Sequence, residues 1–445
     1  MLRRITLLLV LLVVQNSIAQ QIITPEKKQK LDEYLAYISK ENQGIGEISI
    51  TENGKEIYGK SFGYENLEEK VENPESLRYQ MGSISKSFTA VLLAMLEEEG
   101  KLSYDEKLEN YFPKIKNSEK ITIRQMMNHT SGLNNFAMQY GDSTWLMKKE
   151  KKKNILKRIQ GEEILFEPRE GFEYSNSAYY LLAKIVEKKY KKSYHKVLNE
   201  KILKPLKLKE TQSYVFHKKT KMDHVAQGYI LNDGKWEVVE DFYFPNIVGV
   251  GDIVSTTEEL NEFFRALFQG ELIKKESLDK MLAEGKAPFG LGLMQVFYEK
   301  VVSHGHGGDT IGTHSVAVYH PEEDLGLSVV LNGYEYARNP LLIGILDIIF
   351  NDKLVLPDFS KFKIEDLTPY LGKYKSEDLP FKVEIYEKDG EIMAQAEGQG
   401  AFPITPKNET KFEFIPAGVE MVFDLEKKTF VLHQGGGKFT FQKEE

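Results

Sequence analysis

Residues Met81 to Ala90 read "MGSISKSFTA" and place Ser83, Ser85 and Ser87 around a single lysine, Lys86. Three readings compete: a phosphate-cradling loop, an ordinary helix start, or a nucleophile with its base one turn away. The phosphate loop fails. That fingerprint ends in Gly-Lys-Ser/Thr, and Ser85 stands where its glycine belongs. In a helix, residues i and i+3 share a face, about 5–6 Å apart at Cβ. Ser83 and Lys86 meet that condition. Ser85 and Ser87 adjoin the lysine, rotated from it by roughly 100°, and read as framework. If Ser83 opens the helix, its backbone N–H lies among the unpaired donors at the positive end of the dipole. Such an N–H can help hold an oxyanion. Ser-x-x-Lys is a common combination, so the rest of the chain has to give it meaning.

The chain has 445 residues, too many for one small core, and reads as two folded units behind a leader. At 41% hydrophobic and 28% charged it has the composition of a folded soluble protein. A formal net charge of −8 argues against a broad nucleic-acid surface, which needs clustered positive charge. The basic runs "KKEKKKNILKR" (148–158) and "EKKYKKSYHK" (187–196) read as solvated helix faces. The chain has no cysteine, which excludes disulfides, thiolate metal sites and a cysteine nucleophile. At the N-terminus, Arg3 and Arg4 precede an apolar run from Ile5 to Val14, then the small residues Ser17 and Ala19. This is the pattern of a signal peptide over residues 1–19, cleaved after Ala19. The run is far shorter than the roughly 20 residues a membrane span requires. Export to the periplasm or the extracellular space is expected, with no stable membrane span after cleavage.

Beyond the leader, "TPEKKQKLDEYLAYISKEN" predicts an amphipathic helix capped by Thr24 with Pro25 in its first turn. "IGEISITENGKEIYGKSFGY" predicts a hairpin turning at Asn53-Gly54. From Ser87 to about Lys209 the apolar spacing is mostly helical, and "STTEELNEFFRALFQG" spaces Thr256 and Glu259 as a capping box. Strand patterns return at "KVVSHGHGG" and "THSVAVYHPEEDLGLSVVLNG", followed by a helix around "NPLLIGILDIIF". The expected fold is α/β in the α+β sense: an antiparallel sheet flanked by helices, assembled from both ends of one unit around a helical insertion. After a linker near "NDKLVLPDFSKFK" the chain becomes short strands with Gly-rich turns. These predict a small all-β barrel or sandwich. The boundaries that follow are 20–355 for the catalytic unit and 356–445 for the β domain.

Two further stretches supply chemistry. "FEYSNSAYY" carries Tyr174-Ser175-Asn176 at a helix start, and "SHGHGGDTIG" carries His306-Gly307-Gly308 on a strand edge. An alcohol attacks only when a base takes its proton, and a lysine at its ordinary pKa of roughly 10.4 is mostly unavailable for that. Burial can lower the lysine, and a tyrosine oxygen can relay the proton. Glycines on a strand edge let a substrate backbone approach closely. His304 and His306 face one side of a strand and invite a metal. A metal site wants a third ligand, and Asp309 is off-register while His314 lies across a turn. His129, Tyr179 and Tyr180 read as structural.

With these motifs in this order, the chain resembles the serine β-lactamase and penicillin-recognising hydrolase family, in its class C-like branch, from about Ile45 to Phe350. "MGSISKSFTAVLLAMLEEEGKLSYDEKLENYFP", "ITIRQMMNHTSGL", "YSN", "GVGDIVSTTEEL", "FGLGLM" and "GHGGDTIGTHS" carry the resemblance. It implies that Ser83 is the acylated nucleophile and Lys86 its base. It implies Tyr174 as proton relay and Asn176 as an amide that contacts lysine and substrate. His306 would position or polarise the substrate, with Gly307 and Gly308 leaving room beside it. The backbone N–H of Asp309 would join that of Ser83 as oxyanion donor. Three departures stand out. His306 occupies a position where many relatives have lysine. Asp309 puts an acid beside the oxyanion position, so its side chain either points away or recognises a cationic group such as a free amino terminus. Arg169 stands where relatives often have glycine. The C-terminal strands resemble the lipocalin-like domain appended to some members.

The expected activity is that of a secreted serine hydrolase acting on an amide or ester through an acyl-enzyme. D-residue or cell-wall-type peptides are the first expectation and small esters the second, rather than efficient β-lactam turnover. The alternative is a binder or sensor that uses the same pocket without turnover. No cofactor or metal is expected. The expected partner is a small-molecule or peptide substrate, and self-association is left open.

Overall fold

A computed structural model describes residues 22–137, 144–214, 224–285, 287, 289–359, 362–379, 381–388, 391–397, 401–414, 418–434 and 437–444. The expected signal peptide, 1–19, lies outside the described residues. The first helix, α1 (Pro25–Lys40), begins as predicted: Thr24 Oγ1 accepts from Lys27 N at 3.3 Å, with Pro25 in the first turn. Leu31, Tyr34, Leu35 and Ile38 fall on its buried face. Strands β1 (Gly44–Glu52) and β2 (Lys55–Phe62) form the predicted hairpin. Asn53 and Gly54 take φ of 53° and 70°, the pair of positive values that a two-residue hairpin turn demands.

The other sheet strands come late: β3 (Met294–Tyr298), β4 (Val301–Asp309), β5 (His314–His320) and β6 (Leu325–Tyr334). The order is β2-β1-β6-β5-β4-β3, so β1 pairs antiparallel with β6 and joins the two ends of the unit. Both faces are covered. Val316, Val318, Val329 and Leu331 pack with α1 and α5 (Arg338–Asn351). Ala317, Tyr319 and Val330 face the other way, onto α2 (Ser85–Glu98) and α4 (Thr257–Phe268). Burial on both sides leaves Ser328 and Asn332 of β6 as buried as its leucines and valines.

Between the sheet's two halves the chain is less regular than the expected helical run. Besides α2, the long helix there is α3 (Asn176–Tyr190), and the rest holds short pieces such as Ile123–Met127 and Lys152–Gln160. Leu102, Tyr104, Leu108, Phe112, Ile115 and Ile121 reach the core from turns rather than from one helical face. Thr256 caps α4 by accepting from Glu259 N at 3.2 Å. The reciprocal half of the expected capping box is absent. The Glu259 carboxylate instead accepts from Lys209 N, Glu210 N and Thr211 Oγ1, tying the helix to the 209–211 turn.

The C-terminal strands are β7 (Gly372–Ser376), β8 (Lys382–Lys388), β9 (Glu391–Ala396), β10 (Phe402–Pro403), β11 (Thr405–Pro406), β12 (Lys411–Phe414), β13 (Val419–Asp424), β14 (Thr429–Gln434) and β15 (Gly437–Lys443). They form one antiparallel nine-stranded sheet, ordered β10-β9-β8-β7-β15-β14-β13-β12-β11. Its two ends, β10 and β11, are joined by Ile404 alone, so the sheet curls into a nearly closed barrel. Phe402 stacks on Phe414 at 4.5 Å across that seam. Tyr370, Tyr374, Phe412, Phe423, Phe430 and Phe441 fill the interior. The expected boundary at 355/356 falls in the connector between α5 and β7, where Phe359 stacks on Tyr37 at 5.6 Å.

Candidate active site

Ser83 lies in a 3₁₀ turn, Gly82–Ile84, and α2 starts two residues later than the helix expected from the sequence. The turn preserves the i, i+3 relation. Lys86 Nζ stands 2.8 Å from Ser83 Oγ and donates to the Val250 carbonyl at 3.0 Å. No carboxylate pairs with it among the described residues. Burial drives the ammonium well below its ordinary value, against a weaker upward pull from Asp309. Ser85 and Ser87 are framework, as expected. Ser85 Oγ donates to Gly82 O at 2.7 Å and accepts from Ile253 N at 3.0 Å, while Ser87 Oγ donates to Gly292 O at 2.8 Å.

Tyr174 comes from the turn that leads into α3. Ser175 is the N-cap, its Oγ accepting from Ala178 N at 3.1 Å, and its own N–H donates to His129 Nδ1 at 3.1 Å. His129 takes a φ of 63° and lays its ring against that of Tyr174, centroids 4.4 Å apart. So held, the Tyr174 ring lies 4.9 Å from Lys86 Nζ. Part of the residue reaches solvent, but its hydroxyl is sealed and makes no hydrogen bond. Burial raises its pKa, opposed by the nearby Ser83 hydroxyl. Arg169 has a φ of 78°, a conformation that favours the glycine relatives often carry there, and nothing in the structure explains the arginine.

Asn176, the first residue of α3, lines the cavity with Ser83 but does not bond Lys86. Its Nδ2 donates to Asn135 Oδ1 at 3.1 Å, and Asn135 Nδ2 donates to the Tyr174 carbonyl at 3.3 Å. The expected amide–lysine contact is therefore replaced. The Val250 carbonyl, which no side-chain motif could reveal, takes that place.

The end of β4 supplies the facing wall. Thr310 N donates to Thr313 O at 2.9 Å, and antiparallel ladders alternate, so the N–H groups of Gly307 and Asp309 point away from β5. Strand β3 pairs with β4 only as far as Gly305, which leaves that edge free. The edge meets the nucleophile turn at very close range. A Cβ on Gly308 would stand 2.0 Å from Met81 O and 2.9 Å from Ser83 N. One on Gly82, whose φ is 47°, would stand 2.6 Å from Asp309 N. Two glycines thus let the backbone of β4 at Gly308 and Asp309 approach that of the nucleophile turn closely.

His306 is buried on the α2 face, and burial, reinforced by Lys86, pushes its pKa down to about 3. Its Nδ1 donates to the Gly307 carbonyl, which leaves a lone pair on the buried, unpartnered Nε2. Asp309 has its side chain on the opposite face, where Oδ1 accepts from Arg338 at 2.9 Å and His314 at 2.7 Å. Burial opposes its ionisation, but these two partners hold the carboxyl below its ordinary value. The side chain points away from Ser83. His304 stacks on Phe268 at 5.3 Å.

Ser83, Asn176, Val250, Gly251 and Asp309 border a cavity of about 290 Å³, whose other walls are Ala137, Leu146, Met147, Phe242, Ile247 and Ile311. Residues 36–343 match the beta-lactamase family model. The chain belongs to the beta-lactamase family. This family member is 29% identical to penicillin-binding protein 4* of Bacillus subtilis (strain 168), covering 93% of this chain and 98% of that protein. Its fold is similar to that of D-amino acid amidase from Ochrobactrum anthropi SV3 complexed with D-phenylalanine. That likeness has a TM-score of 0.65 and 23% identity, over 74% of this chain and 100% of that one. The octameric penicillin-binding protein homologue from Pyrococcus abyssi, at TM-score 0.64 and 24% identity, covers 94% of this chain and 99% of its own. That second likeness takes in most of the barrel as well.

Proposed function

We propose that the chain is an exported serine hydrolase of the class C-like branch that cleaves an amide or ester through an acyl-enzyme on Ser83. The reading rests on one observation: a fully buried lysine, paired with no carboxylate among the described residues, 2.8 Å from a serine hydroxyl. Neutral Lys86 takes the Ser83 proton as Oγ bonds the carbonyl carbon. The Ser83 and Asp309 N–H groups hold the oxyanion, each donor being worth about 10²–10³ in rate. Tyr174 passes a proton to the leaving group as its bond to the carbonyl carbon breaks. Water then attacks the ester with the same groups in reversed roles. Asn176 and the edge of Gly307 and Gly308 orient the substrate, and neutral His306 accepts a hydrogen bond at Nε2.

D-residue or cell-wall-type peptides are the favoured substrates and small esters the next. The similarity to penicillin-binding protein 4* and to the D-amino acid amidase supports that order. A buried neutral imidazole where many relatives carry an ammonium argues against efficient β-lactam turnover. The C-terminal barrel is taken as lipocalin-like. The test is mass detection of the acyl group after rapid quenching with D- and L-aminoacyl peptides, β-lactams and nitrophenyl esters. An adduct on Ser83, with steady turnover that Ser83→Ala abolishes, is expected. A stoichiometric adduct that never turns over would establish the sensor reading, and full turnover by Ser83→Ala would overturn the nucleophile.

A further inference from the structure

The charges around the cavity are distributed in a way that the catalytic steps do not require. No lysine, arginine or histidine lines it among the described residues, and Leu146, Met147, Phe242, Ile247 and Ile311 make its walls apolar. Beside Tyr174, which serves the leaving group, stands a second apolar surface. Phe172, 49% exposed, stacks on Phe289 at 5.5 Å, and Phe289 flanks Tyr174 at 5.8 Å and His306 at 5.9 Å.

Two cations nearby, Lys86 and Arg338, are engaged within the chain. Lys86 is sealed beneath Ser83 and Val250. Arg338, at the start of α5, lies over β4 on the face that carries the Asp309 side chain, its guanidinium 3.4 Å from where a Gly307 Cβ would stand. Its NH1 donates to Ser315 O at 2.8 Å, to Gly308 O at 3.4 Å and to the Asp309 carboxylate at 2.9 Å. Asp309 also accepts from His314. The positive charge that a substrate carboxylate would seek beside this strand is answered from within the chain.

We infer that this hydrolase selects acyl donors with an apolar acyl group and a leaving group free of carboxylate, and that Asp309 enforces the choice by occupying Arg338. The inference rests on the serine-hydrolase reading. A carboxylate entering here would lose its hydration without gaining a cation, because Asp309 already holds Arg338. An amide or ester of the same shape has no such cost.

The test uses matched aryl phosphonates with an apolar phosphonyl group, whose aryl leaving group carries either a carboxylate or a carboxamide. In each, Ser83 Oγ bonds phosphorus as the aryloxide leaves, and the second-order inactivation constant is read with the adduct located by mass. The carboxamide is expected to react about 10- to 100-fold faster than the carboxylate. Asp309→Asn should shrink or invert that ratio by releasing Arg338, and adding Arg338→Gln to it should remove the gain. Thermal melts check that each variant is folded. Labelling of Ser83 with the carboxylate preferred, or a ratio unmoved by Asp309→Asn, would overturn the inference and leave the hydrolase reading standing. Failure of both probes to label Ser83 would remove the hydrolase reading and the inference with it.

Discussion

The two sheets of this molecule use the same antiparallel pairing to opposite ends. The nine-stranded sheet curls until its edges nearly meet, and its interior is closed by aromatic packing, with Phe430 on Phe441 at 4.8 Å and Phe412 on Phe423 at 4.9 Å. The six-stranded sheet leaves one edge of β4, the edge away from β5, unpaired beyond Gly305 among the described residues. Polar satisfaction divides the same way. Among the described residues, buried side-chain atoms without a partner inside the chain include His129 Nε2, Tyr174 Oη and His306 Nε2 around the nucleophile. Others, Tyr104 Oη, Trp145 Nε1 and Thr313 Oγ1, lie elsewhere in the catalytic unit, and none found among the described residues lies in the barrel. An unmatched buried polar atom costs about 1–3 kcal/mol. A structure that tolerates several at one place is giving up stability for chemistry there.

Replacing the buried lysine attacks the costly half of this comparison. Lys86→Met should lower acylation by about 10³–10⁴-fold while raising the melting temperature. The sign follows from linkage. The folded-state pKa is depressed below the unfolded value of about 10.4, so the unfolded chain binds the extra proton. Wild-type stability therefore falls as pH drops from about 10.4 towards the depressed value, and the methionine variant lacks that slope. A melting temperature lower than wild type near neutral pH would mean that the lysine stabilises the fold, contrary to the comparison.

The barrel half is probed by Phe430→Ala, which should cost about 3–5 kcal/mol because it empties part of a closed aromatic core. Urea unfolding followed by tryptophan-independent circular dichroism measures it. The rate of Ser83 acylation should stay within about twofold of wild type, since distant sites act independently. A large rate loss would join the two regions more tightly than their separate cores suggest.

Much of this arrangement was legible beforehand because it is local. Ser83 and Lys86 are one turn apart, Tyr174-Ser175-Asn176 stands at a helix start, and Asn53-Gly54 turns the hairpin, all within four residues of chain. What was hidden depends on long-range packing. The Val250 carbonyl that holds Lys86 is 164 residues away and has no side-chain signature. The partners that turn Asp309 away from Ser83 come from β5 and α5. The exchange of Asn176 for Val250 at the lysine, and of a capping box for the Glu259 tie, came from carbonyls and amides brought near only by folding. Arg169 offered a usable signal, since its place in a glycine-favouring position matched a positive φ.

The central claim is that Lys86 is kept neutral to serve as base. Lysine-selective ¹³Cε labelling measures this directly, with the Lys86 resonance assigned as the one missing from Lys86→Met. The account predicts a neutral amine throughout the pH range in which Ser83 is acylated. A resonance that titrates near the ordinary lysine value of about 10.4 would contradict it.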